Sequence, residues 1–284
     1  MQKPRVPIAF VAVFACVAAI WPAGCTTPAT TSYGVNDLST SEKSGIQAAM
    51  RSFISVQQAT TACRGVSLVD SPQEGQLDPT AGLSFTVGTC PVVEFEQSSG
   101  NLAIVTVSAD FGEGCNPAGA AEYTCSGSAS GTLNVSTNTF SMTFNALLCN
   151  GRALAGTVDA GYSADQGLVQ FDGDWELTYT EASRQTATQG AGQALYSDAQ
   201  RETTVPAFEG TVQESAESYA LTMSDVTLSY QNNPVLIPYA GEITVSGSSI
   251  RALTIHFDAD SPTTGYVEVS IDGSPYFEVH ISQL

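Results

Sequence analysis

Basic side chains are scarce in this 284-residue chain, which has nine lysines and arginines against 28 aspartates and glutamates. The arginines lie far apart in the sequence, so they cannot build a continuous basic patch. Nucleic acids and anionic membrane surfaces are bound by such patches. The composition therefore argues against nucleic acid as a partner, and the acidic excess is expected to favour solubility.

Catalytic motifs are also missing. The chain has no HExxH, no Walker loop, no GxSxG and no GxGxxG, and the nearest approach, GSASG at 127–131, has Ala129 at the nucleophile position. The chain has two histidines, His256 and His280, so a nucleophile–histidine pair would have to use one of them. We predict a non-catalytic protein without a cofactor, with an envelope hydrolase of unrecognised site as an alternative.

Long apolar runs are absent except near the start, where residues 8–21 carry no charge and follow Lys3 and Arg5. This run is shorter than the roughly 20 residues that cross a bilayer. A positive segment followed by a short apolar run is typical of a secretory signal peptide. The alternative is a buried N-terminal helix, although nothing in the run would give that helix a polar face.

Ala23-Gly24-Cys25 closes this segment. These residues resemble the lipobox of bacterial lipoproteins, with Pro22 standing where that family usually has leucine. The resemblance implies that residues 1–24 are removed as a signal peptide and that the thiol of Cys25, the new N-terminus, carries lipid. Cleavage without lipidation is the alternative. The segments DFGEGCN and CNGRALAGTVDAGY also loosely resemble bacterial envelope lipoproteins, and this likeness implies no activity.

A lipidated Cys25 would place the protein outside the cytoplasm. We expect residues 25–38 to form a polar tether, and the membrane to be a partner through the lipid alone. The predicted location is the bacterial cell envelope, at the outer membrane or cell surface. Without Lys3 and Arg5, the mature chain keeps seven basic residues against 28 acidic ones.

The remaining cysteines are predicted to form disulfides, because exported proteins mature in an oxidising compartment. Cys16 leaves with the signal peptide, and no pair has the CxxC spacing of zinc or redox motifs. Five thiols allow two bridges at most. Proximity in sequence favours Cys63–Cys90 and Cys115–Cys125, with Cys149 left over, although spacing alone does not fix the connectivity. The five candidates are Cys63, Cys90, Cys115, Cys125 and Cys149.

One helix is predicted over residues 40–62. Ser39 and Glu42 have the spacing of a capping box, and apolar residues such as Ile46 and Phe53 recur at helical spacing before Gly65. We expect an amphipathic helix within residues 39–65, packed on the β region that follows it.

Everything after Gly65 has the pattern of β-strands. Apolar side chains alternate with polar ones, and turn residues separate the runs at short spacing. This predicts an all-β fold, an antiparallel meander forming a sandwich or a barrel-like sheet. We divide it into a cysteine-containing β region at 66–180, a linker or weak hairpin at 181–206, and a second β region at 207–284.

The alternation also predicts local details. A change of parity after Met223 predicts a β-bulge near Ser224. Antiparallel hairpins bring all five thiols to one end of the sheet, and an odd loop of three residues at 149–151 keeps Phe144 and Val158 on the same face. Trp175 shares the parity of apolar neighbours, which favours core packing over a sugar-stacking platform.

The last strands place titratable side chains on the face opposite their apolar residues. Pairing Val269 with Phe277 and Ile255 with Val267 produces two rows across the strands. They are His256, Tyr266 and His280, and Thr254, Glu268 and Glu278. Paired glutamates repel each other, so a metal or acid–base site is one interpretation. A polar, solvent-facing sheet surface is the simpler one. Asp258-Ala259-Asp260 likewise reads as a plain acidic loop, with a calcium loop as the alternative.

We therefore predict a membrane-anchored envelope lipoprotein with a non-catalytic binding or structural role. The alternatives are a carrier of a small apolar ligand and an envelope hydrolase. The sequence names no envelope protein or small ligand as its partner.

Overall fold

Residues 33–67, 84–87, 89–97, 103–117, 123–165, 168–231, 233 and 235–284 are described in a computed structural model of the chain. The predicted signal peptide and lipobox, with Cys16 and Cys25, lie outside the described residues. Every described residue belongs to one compact unit, Ser32–Leu284.

The N-terminal helix α1 spans Thr40–Ser67. The hydroxyl oxygen of Ser39 accepts a hydrogen bond from the backbone N–H of Glu42 at 3.2 Å, and the backbone N–H of Ser39 donates to the Glu42 carboxylate at 2.8 Å. These two bonds are the predicted capping box, because each satisfies a backbone donor left free at a helix start. The helix is five residues longer than predicted at its C-terminal end.

The rest of the fold is the predicted antiparallel meander. The strands are β1 Ser84–Val87, β2 Val92–Gln97, β3 Ile104–Asp110, β4 Cys125–Asn134, β5 Thr139–Cys149, β6 Arg152–Asp165, β7 Leu168–Glu181, β8 Arg184–Ser197, β9 Glu202–Glu214, β10 Glu217–Ser229, β11 Ala240–Gly247, β12 Ile250–Phe257, β13 Tyr266–Ile271 and β14 Phe277–His280. Single helical turns lie at Val35–Asp37, Ser261–Thr264 and Ile281–Gln283. Over the described ranges, the 14 strands form one sheet in sequence order.

The sheet is continuous across the segment 181–206. Within it, β8 pairs along its length with β7 on one side and β9 on the other. The two β regions distinguished in the sequence are therefore stretches of a single sheet.

The sheet encloses the second half of α1. Residues 55–63 are all buried, which over two and a half helical turns covers every side of the helix. The helix packs against β6 to β12, that is, against strands from both β regions. Its first half keeps a partly exposed side, where Gln47 and Arg51 lie. Among the described ranges, no helix combines the length and apolar character needed to cross a bilayer.

Glycines line the concave face where neighbouring strands approach closely. A Cβ added at Gly173 would run into the backbone carbonyl of Asp159, and one at Gly190 into that of Glu209. Larger residues at these points would therefore push strands apart, and the glycines permit the sheet to curve around α1. Trp175 is buried between them, as predicted, and its indole N–H donates to the carbonyl of Gly192 at 3.2 Å.

Shifts in strand register and the length of one turn determine which side chains of a strand face the core. The bulge predicted near Ser224 is confirmed, since the register shifts between Ser224 and Thr227. The three-residue loop predicted at 149–151 is wrong, because Cys149 pairs with Arg152 across a two-residue turn. A shift in register between Phe144 and Leu147 restores the parity instead, so Phe144 and Val158 are both buried.

Candidate functional site

The predicted lipid attachment point, Cys25, lies outside the described residues. Four of the other cysteines form two disulfides, Cys90–Cys115 and Cys125–Cys149, and Cys63 is a buried free thiol. The predicted pairing by proximity in sequence is therefore wrong, as is the choice of Cys149 as the unpaired cysteine. Two disulfides are compatible with an exported protein.

Strand neighbours, not sequence spacing, decide this pairing. Cys125 stands directly opposite Cys149 in the β4–β5 pair. Cys115 also faces Cys125, but through backbone hydrogen bonds of 2.7 Å in both directions, while its sulfur joins Cys90. Burial raises the pKa of the Cys63 thiol, which keeps this group in its unreactive protonated form.

The disulfides lie near the C-terminal end of α1. A Cβ added to Gly65 would stand 2.7 Å from Cδ of Pro91, the residue after Cys90. The Arg64 guanidinium donates to the carbonyl of Pro117 at 2.7 Å and forms an ion pair with Asp198. The bridged loops are therefore attached to the end of α1 that is far from the predicted tether.

An ion pair between Arg251 and Glu42 attaches the N-terminal end of α1 to β12. Arg251 donates to both carboxylate oxygens of Glu42, at 2.6 and 3.0 Å, and its guanidinium lies 5.3 Å from the centre of the Tyr33 ring. The bond to Arg251, helped by Ser39, lowers the pKa of Glu42 to about 2 although burial opposes the shift. Tyr33 precedes α1 in the chain, so this contact attaches the segment before the helix to β12.

The polar row predicted on the last strands is made of partly different residues in the structure. Tyr266 pairs with His280, Glu268 with Glu278 and Val269 with Phe277, as predicted. However, Ile255 stands opposite Val269 and not Val267, because the loop that contains the four-residue helical turn Ser261–Thr264 is two residues longer than predicted. The observed row crosses four strands and consists of Glu242, His256, Glu268 and Glu278.

This row is a half-exposed surface. Nδ1 of His256 lies 3.3 Å from Oε1 of Glu242, within ion-pair distance but without hydrogen-bond geometry. The Tyr276 hydroxyl donates to the same Glu242 oxygen at 3.0 Å. Burial and the Glu242 carboxylate raise the pKa of Tyr276. No three histidine, cysteine or acidic side chains within the described ranges are grouped to hold a metal ion.

The other candidate positions serve local structure. His280 lies at the row's edge, where its Nδ1 accepts from the backbone N–H of Ser282 at 3.2 Å. The Asp258 carboxylate accepts from the backbone N–H groups of Asp260 and Ser261, both at 2.9 Å. This carboxylate oxygen of Asp258 therefore stabilises the turn of its own loop.

The enclosed half of α1 is polar, which the sequence reasoning missed. The buried polar residues on this helix are Glu42, Ser52, Ser55, Gln57, Gln58, Thr60 and Thr61. An available signal was that no charged residue stands between Arg51 and Arg64, so the polar positions in SVQQATTAC could be buried without charge. Uncharged polar groups are buried when hydrogen bonds compensate them.

Tyr230 is the centre of those hydrogen bonds. Its hydroxyl contacts the Gln57 amide and the Thr61 hydroxyl from α1 and lies 2.9 Å from the Thr203 hydroxyl of β9. The Tyr123 ring packs edge-on at 5.1 Å. Burial raises the pKa of both tyrosines, so both phenols stay neutral. The network joins α1 to the sheet.

Comparisons with known proteins give no relative. No protein-family model matches the chain, and neither a curated protein nor a solved structure matches it.

Proposed function

We propose that this protein is an exported lipoprotein, anchored to the bacterial envelope through Cys25, with a non-catalytic binding or structural role. The observation that supports this role over that of an apolar-ligand carrier is that the protein's own helix occupies the concave side of the sheet. In a carrier of apolar ligands, that side would hold the ligand. Here Ser52 and Thr188 join helix and sheet by a hydrogen bond of 2.8 Å between hydroxyls.

The two disulfides support the exported part of the proposal. Both join loops and strand ends around β2 to β5. Disulfides form and persist in extracytoplasmic compartments. The signal-like segment at residues 1–24 agrees with the same route.

A lipid anchor at Cys25 would also orient the protein relative to the membrane. Eight residues join Cys25 to Tyr33 and span at most about 28 Å when extended. The N-terminal end of α1, with Arg251, therefore stays close to the membrane surface. Arg64 lies 22 residues after Glu42, which is about 33 Å further along the helix axis. In this proposal the disulfide-bridged loops, at the other end of α1, would be the part of the fold more distant from the membrane and available to partners.

Metabolic labelling with a fatty-acid analogue tests the anchor. We expect the wild-type protein to be labelled and the Cys25→Ala variant to lose the label. Cys16→Ala and Cys63→Ala are matched controls, because the first thiol leaves with the signal peptide and the second is buried. Both controls should keep the label. Unchanged labelling of Cys25→Ala would remove the anchor from the proposal.

A hydrolase is the main competing class, and its test is independent of the anchor. Activity of the purified protein on esters, glycosides or peptides that disappears in His256→Ala or His280→Ala would contradict the non-catalytic role. Activity that survives both substitutions would not come from a nucleophile–histidine site.

A further inference from the structure

A polar cleft lies where the first half of α1 meets the β7–β8 and β9–β10 turns. Its volume of about 590 Å³ is within the range of small-molecule sites, about 300–1,000 Å³. Its wall is mostly made of hydrogen-bonding side chains, among them Ser44, Ser183, Arg184, Gln185, Gln213 and Ser215. Hydroxyl, amide and guanidinium groups bind a ligand through hydrogen bonds, so the cleft suits a polar molecule.

Three arginines that are far apart in the sequence meet beside this cleft. Oε1 of Gln47 accepts hydrogen bonds from Arg184 at 2.6 Å and from Arg51 at 3.5 Å. The Glu181 carboxylate lies 3.8 Å from Nε of Arg51 and 2.9 Å from Nε of Arg152. The fold therefore gathers basic groups that the sequence spaces widely.

Arg184 differs from the other two arginines in its partner. Those two form ion pairs with glutamates, at 2.6 and 2.9 Å. Within the described ranges Arg184 forms no ion pair, and its bond to Gln47 joins it to a neutral amide. Because Arg184 is exposed and a guanidinium has five N–H donors, its charge and most of its donors remain accessible to a ligand.

The charges around the cleft favour a ligand with a single negative charge. Glu214 also lines the cleft, and its carboxylate is bonded to Arg51. Glu217 stands opposite Glu214 across the β9–β10 turn. A dianion such as phosphate would be repelled by these two glutamates more strongly than a monoanion would. A carboxylate carries one charge, and its two oxygens match the planar fork of a guanidinium.

We propose that this cleft binds a small polar molecule that carries one carboxylate. The Arg184 guanidinium holds the carboxylate, and the hydroxyls of Ser44, Ser183 and Ser215 bind the uncharged part of the molecule. The inference rests on the binding role in the proposed function and gives that role a class of ligand. It is independent of the lipid anchor, because every residue of the site lies in the folded part of the chain.

Titration of the purified full-length protein with N-acetylalanine, followed by NMR of the backbone amides, tests the site. This probe has one carboxylate and one amide, and its methylamide derivative lacks the charge. We expect N-acetylalanine to shift the amide signals of Ser183, Arg184 and Ser215 in a saturable way. The methylamide should bind at least about tenfold more weakly, because it loses the hydrogen bonds between charged groups.

Three variants locate the bound probe. Arg184→Gln should weaken binding at least about tenfold. Gln47→Glu should also weaken it, because a carboxylate at this position would occupy the guanidinium to which Gln47 is now bonded. Arg201→Gln is the matched control and should leave the affinity unchanged. Arg201 is also exposed, but it lies beyond the opposite end of β8.

Several results would overturn the proposal. They are the absence of saturable shifts with N-acetylalanine, equal affinity for its methylamide, and unchanged affinity in Arg184→Gln. Tighter binding of inorganic phosphate than of N-acetylalanine would also overturn it, because the cleft would then prefer a dianion. Fatty-acid labelling of Cys25 is measured separately, so failure of the ligand site and failure of the anchor are distinguishable.

Discussion

Nε of Arg251 lies 2.6 Å from Oε1 of Glu42 and joins the start of α1 to β12, more than 200 residues later in the chain. Glu42 is nearly inaccessible, with 3% of its surface exposed, and it also caps the helix through Ser39. One carboxylate therefore caps the helix and joins its start to the sheet.

Glu42 should make stability depend on acid pH. Its folded pKa of about 2 lies below the ordinary value of 4.5, so the charged form stabilises the fold above about pH 4.5. This contribution, about 3 kcal/mol from the shift, is lost as the pH falls through 2. We expect Glu42→Gln to lower the free energy of unfolding by about 2–3 kcal/mol at pH 7 and to have little effect near pH 2.

Urea unfolding over pH 2–7 measures this difference. Glu278→Gln is the control, because Glu278 is exposed on the outer face. A constant deficit for Glu42→Gln at every pH would show that its contribution is steric and not due to the charge.

Removing the Cys125–Cys149 disulfide should destabilise the protein. The double variant Cys125→Ser, Cys149→Ser is expected to lose about 2–4 kcal/mol of unfolding free energy, because the bridge restricts the unfolded chain. Cys63→Ala should cost less. Non-reducing peptide mapping checks the pairing itself, and a peptide linking Cys63 to Cys90 would contradict the structure.

The curvature of the sheet should depend on glycines of the concave face. Gly173→Ala would force its Cβ against the carbonyl of Asp159, and we expect a loss of about 1–3 kcal/mol in unfolding free energy. Gly161→Ala is the matched control, because the nearest atom to its added Cβ is 3.8 Å away. Equal effects of the two substitutions would show that the close approach at Gly173 is not limiting.

The outer row on β11 to β14 should behave as a polar surface. We expect no heat on titration with zinc or calcium, and a change below about 0.5 kcal/mol in unfolding free energy for Tyr276→Phe, because 44% of Tyr276 is exposed. Measurable heat that disappears in His256→Ala would instead assign the row a metal site.

The proposed orientation can be measured with single lysines, because Lys43 is the only lysine of the predicted mature chain. In a Lys43→Arg background, a donor dye is placed at Ser248→Lys or Glu113→Lys, two exposed positions. Energy transfer to labelled lipid headgroups should be stronger from position 248, after subtraction of the parent signal. Stronger transfer from position 113 would reverse the orientation.

Local signals in the sequence predicted the all-β class, the capping box at Ser39 and the bulge near Ser224. Each depends on neighbours within a few residues. The disulfide pairing and the register of β12 with β13 depend on how loops between strands are built, and the loop that contains the turn Ser261–Thr264 is two residues longer than predicted. The buried position of Gln58 depends on the sheet closing around the helix, which no local pattern reveals.

Mass spectrometry of the N-terminal peptide tests the central claim most directly. Trypsin cleaves after Lys43, so the mature protein isolated from its native membrane should yield a peptide of residues 25–43. The proposed anchor predicts that this peptide begins at Cys25 and carries the added mass of acyl chains on a glycerol thioether. A peptide that begins at another residue, or at Cys25 without lipid, would contradict it.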